Sequence, residues 1–216
     1  MNAQEVLVKG ARELGVELLP ETVELFMRYL EYLKFWNKKI NLTSVREDRK
    51  IVINHFLDSI TVLSLIERNS KVLDVGSGAG FPGIPLKLVE PSLIVTLMDS
   101  VHKKVVFMRY VIRELGLKGI EAVWARAEDP KNGIPRGYFD FVVSRAVGKI
   151  EEILEVCSPY IVEKKGRIII MRGKRGLDEW NALDDSIRRG YRLEEVKRVT
   201  LPFGKQQRVI LSVSHG

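Results

Sequence analysis

Between residues 71 and 171 short apolar runs alternate with longer stretches of helical periodicity. The apolar runs fall at 71–75, 93–98, 120–125, 139–144 and 167–171, and each reads as a buried strand. The stretches between them, for example 82–90 and 101–115, place apolar residues at helical spacing. Alternation of this kind predicts a parallel sheet with helices on both faces. The end of the chain departs from the rhythm. Two strand-like runs, 191–201 and 207–213, are joined only by Pro202-Phe203-Gly204-Lys205-Gln206. So short a connection permits only antiparallel pairing. Ahead of residue 70 the pattern is helical. Residues 4–14 carry one apolar face, and Pro20-Glu21 opens a second helix. Val23, Phe26, Leu30, Leu33 and Ile40 continue that helix's stripe to about residue 40. A third helix is expected over 47–66, with Ile51, Phe56, Ile60, Leu63 and Ile66 apolar. The expected organisation is a helical cap over 1–69 and an α/β domain over 70–216.

Composition changes this picture in two respects. The 216 residues suffice for a core without covalent staples, and the single cysteine, Cys157, excludes a disulfide framework. Cys157 lies in a helical stretch and is expected to be a buried, inert thiol. The start lacks a basic, then apolar, leader pattern, and no run is long enough to span a membrane, so the expected compartment is the cytoplasm. Charge is the second respect. Residues 1–69 carry ten basic and ten acidic side chains, whereas residues 70–216 carry 25 and 18. The whole excess of +7 therefore belongs to the α/β part, which favours a polyanionic partner such as a nucleic acid. Neither heptads nor an obvious interface stands out, so a monomer is expected.

The candidate chemistry begins where the first strand ends. Residues 71–83 read Lys-Val-Leu-Asp-Val-Gly-Ser-Gly-Ala-Gly-Phe-Pro-Gly. A strand, a glycine turn and a helix start place a small ligand at the carboxyl end of a parallel sheet. Gly78 to Gly83 fits the spacing of dinucleotide sites. Asp74, two residues before Gly76, discriminates: a carboxylate there would repel a pyrophosphate. It suits a ligand bearing an ammonium, and S-adenosylmethionine (SAM) carries an ammonium and a sulfonium. The run from Asp74 to Gly80 resembles motif I of class I SAM-dependent methyltransferases, as does a mostly parallel sheet finished by an antiparallel hairpin. Asp99 closes the second apolar run, about 20 residues on, where Rossmann-like folds bind ribose hydroxyls. Ala127 and Glu128 follow the third run, where related folds line the adenine. No cluster of His, Cys and acids has metal-ligand spacing.

The acceptor is narrowed by what is missing. Methylation of an exocyclic base amine typically uses an Asn/Asp-Pro-Pro-aromatic motif after the fourth strand, but this chain reads Phe141-Val142-Val143-Ser144-Arg145-Ala146-Val147. A pyrimidine-C5 enzyme needs a cysteine nucleophile, and Cys157 lies well past the strand end. Guanine N7 needs no base, because its lone pair is free. Arg145, just past a carboxyl strand end, is the candidate catalytic residue, able to hold a phosphate, guanine's O6 edge or the cofactor carboxylate. Lys103, Lys104, Arg109, Arg172, Lys174 and Arg175 are candidate phosphate contacts. His55 is ambiguous, since a lone histidine on a helix is usually structural.

With these residues in place the chain resembles the bacterial 16S rRNA guanine-N7 methyltransferase family (RsmG, also called GidB). The matching runs are Asn41-Leu42-Thr43, His55-Phe56-Leu57-Asp58-Ser59, Asp74 through Gly83, Asp99-Ser100 with Lys103-Lys104, Arg126-Ala127-Glu128, and Ser144-Arg145-Ala146-Val147. The resemblance implies SAM at Gly76, Gly78, Phe81, Asp99, Ala127, Glu128 and Arg145. Asp74, Ser77 and Gly80 complete the candidate cofactor set. It also implies a guanosine of the small ribosomal subunit, in free or assembling 16S rRNA, as substrate. Where the family usually has Lys-Arg, this chain has Lys103-Lys104, which loses a bidentate fork. The alternatives are a class I methyltransferase acting on a small molecule or a protein, and a non-catalytic SAM- or dinucleotide-binding module.

Overall fold

The computed structural model describes residues 1–145, 148–163, 165–204 and 206–216. Seven strands form one sheet: β1 (Lys71–Val75), β2 (Ile94–Asp99), β3 (Ile120–Trp124), β4 (Phe141–Arg145), β5 (Arg167–Gly173), β6 (Tyr191–Thr200) and β7 (Gln207–His215). Their order is β3-β2-β1-β4-β5-β7-β6. Strands β1 to β5 pair in parallel, and β7 runs antiparallel to both β5 and β6. The five parallel strands end on one edge, with β1 central. Alternating side chains divide the interior into two cores. Val72, Val143 and Ile169 face one core, while Leu73, Val142 and Ile168 face the other.

The first core also takes up the N-terminal helices, α1 (Ala3–Glu13) and α2 (Pro20–Asn37), together with α5 (Gly83–Val89) and α6 (His102–Glu114). An aromatic cluster joins them. The Phe56 ring lies 5.1 Å from Phe26 and 5.3 Å from Tyr29, and Tyr29 lies 5.6 Å from Phe81 of the glycine turn. The second core lies under α7 (Ile150–Cys157) and α8 (Gly176–Asn181), and contains the fully buried Cys157.

The helix expected over 47–66 is not continuous. It consists of α3 (Asp48–Ile51), a π-helical segment (Val52–Leu57), α4 (Asp58–Ile60) and a 3-10 turn (Leu63–Leu65). The five-residue step from Ile51 to Phe56 is too wide for an α-helical stripe. The wider π turn buries Val52, Ile53, Phe56 and Leu57 together. It also carries His55 to the carboxyl edge of the sheet. Lys205, in the connection before β7, lies outside the described residues.

Candidate active site

The glycine turn is built on β1 and held by β2. The amides of Gly76 and Ser77 donate to the Met98 carbonyl at 2.9 and 3.0 Å, and the Gly78 amide donates to Asp99 Oδ2 at 2.9 Å. Gly78 and Gly80 have φ of 62° and 95°, a left-handed backbone that side chains resist. Gly83 is required for a different reason. A Cβ there would lie 2.2 Å from Leu97 Cδ2 and 2.9 Å from Asp74 Oδ2, so α5 packs directly on β1 and β2. The Tyr29 hydroxyl reaches across from α2 and donates to the Ala79 carbonyl, tying the turn to the N-terminal helices.

Asp74 lies beneath this turn, fully buried, and does not form part of the cleft wall. Its Oδ2 accepts from the Gly83 amide at 2.8 Å, and Ser77 Oγ donates to its carbonyl at 2.8 Å. Its Oδ1 has no hydrogen-bond partner among the described residues. Burial pushes the carboxyl up to about 7, against the opposing pull of the Gly83 amide and the Arg145 charge. A buried acid with an idle oxygen fits a cationic group arriving above the turn.

Two clefts open along the carboxyl edge. The first, of about 210 Å³, is lined by Gly76, Asp99, Ser100, Ala127, Glu128 and Glu152, among others. Asp99 is well held there: Oδ1 accepts from the Val101 amide at 2.8 Å, and Oδ2 lies 3.7 Å from Lys104 Nζ. The Ala127 carbonyl accepts from the Tyr160 hydroxyl at 2.8 Å. Glu152, Ile153 and Val156 of α7 close the opposite wall. They carry no motif, and their spacing is that of any packed helix.

The second cleft, of about 370 Å³, is lined by Asn54, His55, Asp58, Arg145, Arg172 and Arg208, among others. Here Arg145 meets the π segment. Its Nη1 donates to the Asn54 carbonyl at 3.3 Å and lies 3.4 Å from Asp58 Oδ2. Nη2 lies 3.5 Å from His55 Nδ1, and the guanidinium sits 5.1 Å from the centre of the Phe81 ring. Asp58 also accepts from Arg208 Nε at 2.8 Å, so two cations share one buried carboxylate. His55 stacks on Phe81 at 4.8 Å and bonds Thr43 Oγ1 through Nε2 at 2.8 Å. Burial and the Arg145 charge push its imidazole down to about 4, so it is neutral at physiological pH. Phe81 is thus buried behind the second cleft, under His55 and Arg145, and lines neither cleft. The participation of Arg208 had no local signal, because it lies at the start of β7 outside any motif.

The candidate phosphate contacts divide. Lys103, Lys174 and Arg175 are exposed, the last two in the turn after β5. Three others are engaged by the protein itself. Lys104 pairs with Asp99. Arg109 is exposed, yet its Nε donates to the Ala122 carbonyl beside β3 at 2.9 Å. Arg172 Nε lies 3.1 Å from Glu179, and its Nη2 donates to the Gly148 carbonyl at 2.6 Å. Lys104, Arg109 and Arg172 therefore already have partners within the protein. Ala146 and Val147 of the turn after Arg145 lie outside the described residues. Among the described residues no group of His, Cys and acids could hold a metal ion, and no helix is long and apolar enough to cross a membrane.

A family model described as rRNA small subunit methyltransferase G (GidB) matches residues 22–211. The chain belongs to this family. Its curated relatives include proteins named ribosomal RNA small subunit methyltransferase G. One from Acetivibrio thermocellus is 37% identical over 99% of this chain and 88% of the relative. Another, from Geotalea uraniireducens, is 39% identical over 97% of this chain and 95% of the relative. Among solved structures, a SAM-dependent methyltransferase from Aquifex aeolicus gives a TM-score of 0.58 at 21% identity, covering 76% of this chain and 92% of that one. The crystal structure of M. jannaschii TYW2 in complex with AdoMet gives 0.59 at 14% identity, covering 82% of this chain and 78% of that one. These structural likenesses establish the fold, the class I SAM-dependent methyltransferase arrangement expected from the strand pattern.

Proposed function

We propose that the protein transfers the methyl group of SAM to N7 of one guanosine in the 16S rRNA of the small ribosomal subunit. The observation that carries this reading is the pair of clefts on one sheet edge, in a chain of the small-subunit rRNA methyltransferase family. The first cleft suits the cofactor. The turn carries no side chain at Gly76, Gly78 or Gly80, so main chain would come close to the ligand there, with Asp99 at the ribose. Ala127 and Glu128 would border the adenine. Asp74 would act from beneath the turn as the negative charge facing the ammonium. When bound, SAM supplies a methyl carbon already activated by a positive sulfur.

The second cleft suits an acceptor that needs positioning and no base. Its titratable groups are already committed: His55 is neutral and bonded to Thr43, and Asp58 is held by Arg145 and Arg208. N7 of guanine carries no proton, so its methylation asks nothing of either group. Arg145, itself held over the buried Phe81 ring, would orient the guanine O6 edge, leaving orientation and electrostatics as the enzyme's contribution. Lys103, Lys174 and Arg175 would hold phosphates along the rim. The acting unit is taken as a cytoplasmic monomer, with residues 1–69 serving as a cap on the catalytic domain, 70–216.

Replacing Arg145 and Lys104 separately tests the assignment. Arg145→Ala is expected to lower turnover on rRNA by about a hundredfold, the scale of losing one placed charged donor. Lys104→Ala should lower it far less. Equal losses in the two variants would contradict the role given to Arg145.

A further inference from the structure

Trp124 ends the edge strand β3 and is 60% exposed, whereas Trp180 is buried and Trp36 partly so. Exposure of one indole is not in itself unusual; what sets Trp124 apart is how it is held and what surrounds it. It is fixed in place. Its Nε1 donates to the Ser100 carbonyl at 3.0 Å, and the His102 ring stands edge-on to it at 4.9 Å and 70°. With the indole N–H satisfied, what remains on offer is a flat apolar face. Ser100 and Arg126 both line the first cleft, so the indole borders that cleft. Two exposed cations flank it, Lys103 on α6 and Arg126 two residues further along the chain. The nearby acid, Glu128, lies 3.6 Å from Arg126.

A held aromatic face with cations on either side matches a single-stranded nucleic acid, in which each base offers a π-face and each linkage a negative charge. We propose that Trp124 is a stacking platform for one unpaired base of the RNA. Trp124 ends β3, three strands from β4 and Arg145, so that base lies a few nucleotides from the methylated guanosine along the strand, and Lys103 and Arg126 take the phosphates beside it. The target guanosine itself belongs to the second cleft, beside Arg145. This inference rests on the RNA reading above and adds a base-stacking site at Trp124 with Arg126, neither of which that reading uses.

The test compares wild-type protein with Trp124→Ala and Trp124→Phe for affinity to unmethylated 16S rRNA, for SAM affinity, and for quenching of tryptophan emission by acrylamide. Loss of one base–aromatic stack should weaken RNA binding about tenfold in Trp124→Ala. Trp124→Phe should stay within about twofold of wild type, because a ring is retained. SAM affinity should change far less than RNA affinity in both variants, and an unaltered urea-unfolding transition reports that they are folded. In the wild type, rRNA should protect the exposed emission from acrylamide, and this protection should vanish in Trp124→Phe. RNA affinity unchanged in Trp124→Ala, with no protection in the wild type, would overturn the platform alone and leave the indole to a protein partner. A wild-type protein that binds no rRNA would overturn both this inference and the RNA reading.

Discussion

Asp74 and His55 are both pushed toward their neutral forms, with opposite consequences for stability. Asp74 has a folded value of about 7, above the 3.8 of a free aspartate. Between those values the folded state holds a proton that the unfolded state releases. Its contribution is therefore present below about pH 4 and lost as pH rises toward 7. His55, lowered from 6.5 to about 4, contributes stability above 6.5 that is lost as pH falls toward 4. Asp74→Asn should remove only the first dependence. Its stability relative to wild type should rise between pH 5 and pH 8 in denaturant titrations of SAM-free protein; a flat difference would contradict the buried-acid account. A bound ammonium favours the ionised carboxylate, so SAM affinity in the wild type should increase as pH rises toward 7 and level off above it, and calorimetry on Asp74→Asn should find this increase absent. The positions of Asp74, Asp99 and Arg145 were legible because each stands at a strand end. Their partners were not. Nothing local to residue 145 announces Asn54, Asp58 or Arg208, which come together only through the fold.

Elements were legible wherever periodicity was regular. The strand β1 matches the expected 71–75, and the other strands fall within two residues of their expected starts. The failure at 47–66 has a definite cause: the spacing from Ile51 to Phe56 belongs to a π turn, which a search for α-helical stripes smooths over. That irregular segment is also what brings His55 and Asp58 to the second cleft. Two substitutions test how the elements hold the glycine turn. Gly83→Ala would drive a methyl into Leu97 and the Asp74 carboxylate, and should destabilise the protein by about 1–3 kcal/mol in urea titrations. Tyr29→Phe would leave the Ala79 carbonyl without its donor, at a cost of about 1–3 kcal/mol. Because the bond spans the N-terminal helices and the turn, this variant should also bind SAM more weakly.

At the scale of the whole molecule, the alternation of strands and helices disclosed a parallel sheet with an antiparallel end, but neither its strand order nor how closely the N-terminal helices join it. Residues 1–69 share one apolar core with a face of the sheet, through Phe26, Tyr29, Phe56 and Phe107. Side-chain periodicity marks a buried face without naming what covers it. The net charge of +7 is a property of this scale as well. Binding to rRNA should weaken steeply with salt, and Lys174→Ala and Arg175→Ala should each lower the log–log slope by about one. Lys104→Ala should leave that slope nearly unchanged, since Lys104 already faces Asp99.

The central claim is the atom that receives the methyl group. Labelled SAM should be incubated with purified protein and unmodified 16S rRNA, free and in small-subunit particles, and the modified nucleotide mapped. The account predicts label in 7-methylguanosine at a single position, lost in Arg145→Ala. Label on an exocyclic amine, on a pyrimidine carbon or on ribose, or SAM binding with no label on either RNA substrate, would contradict it.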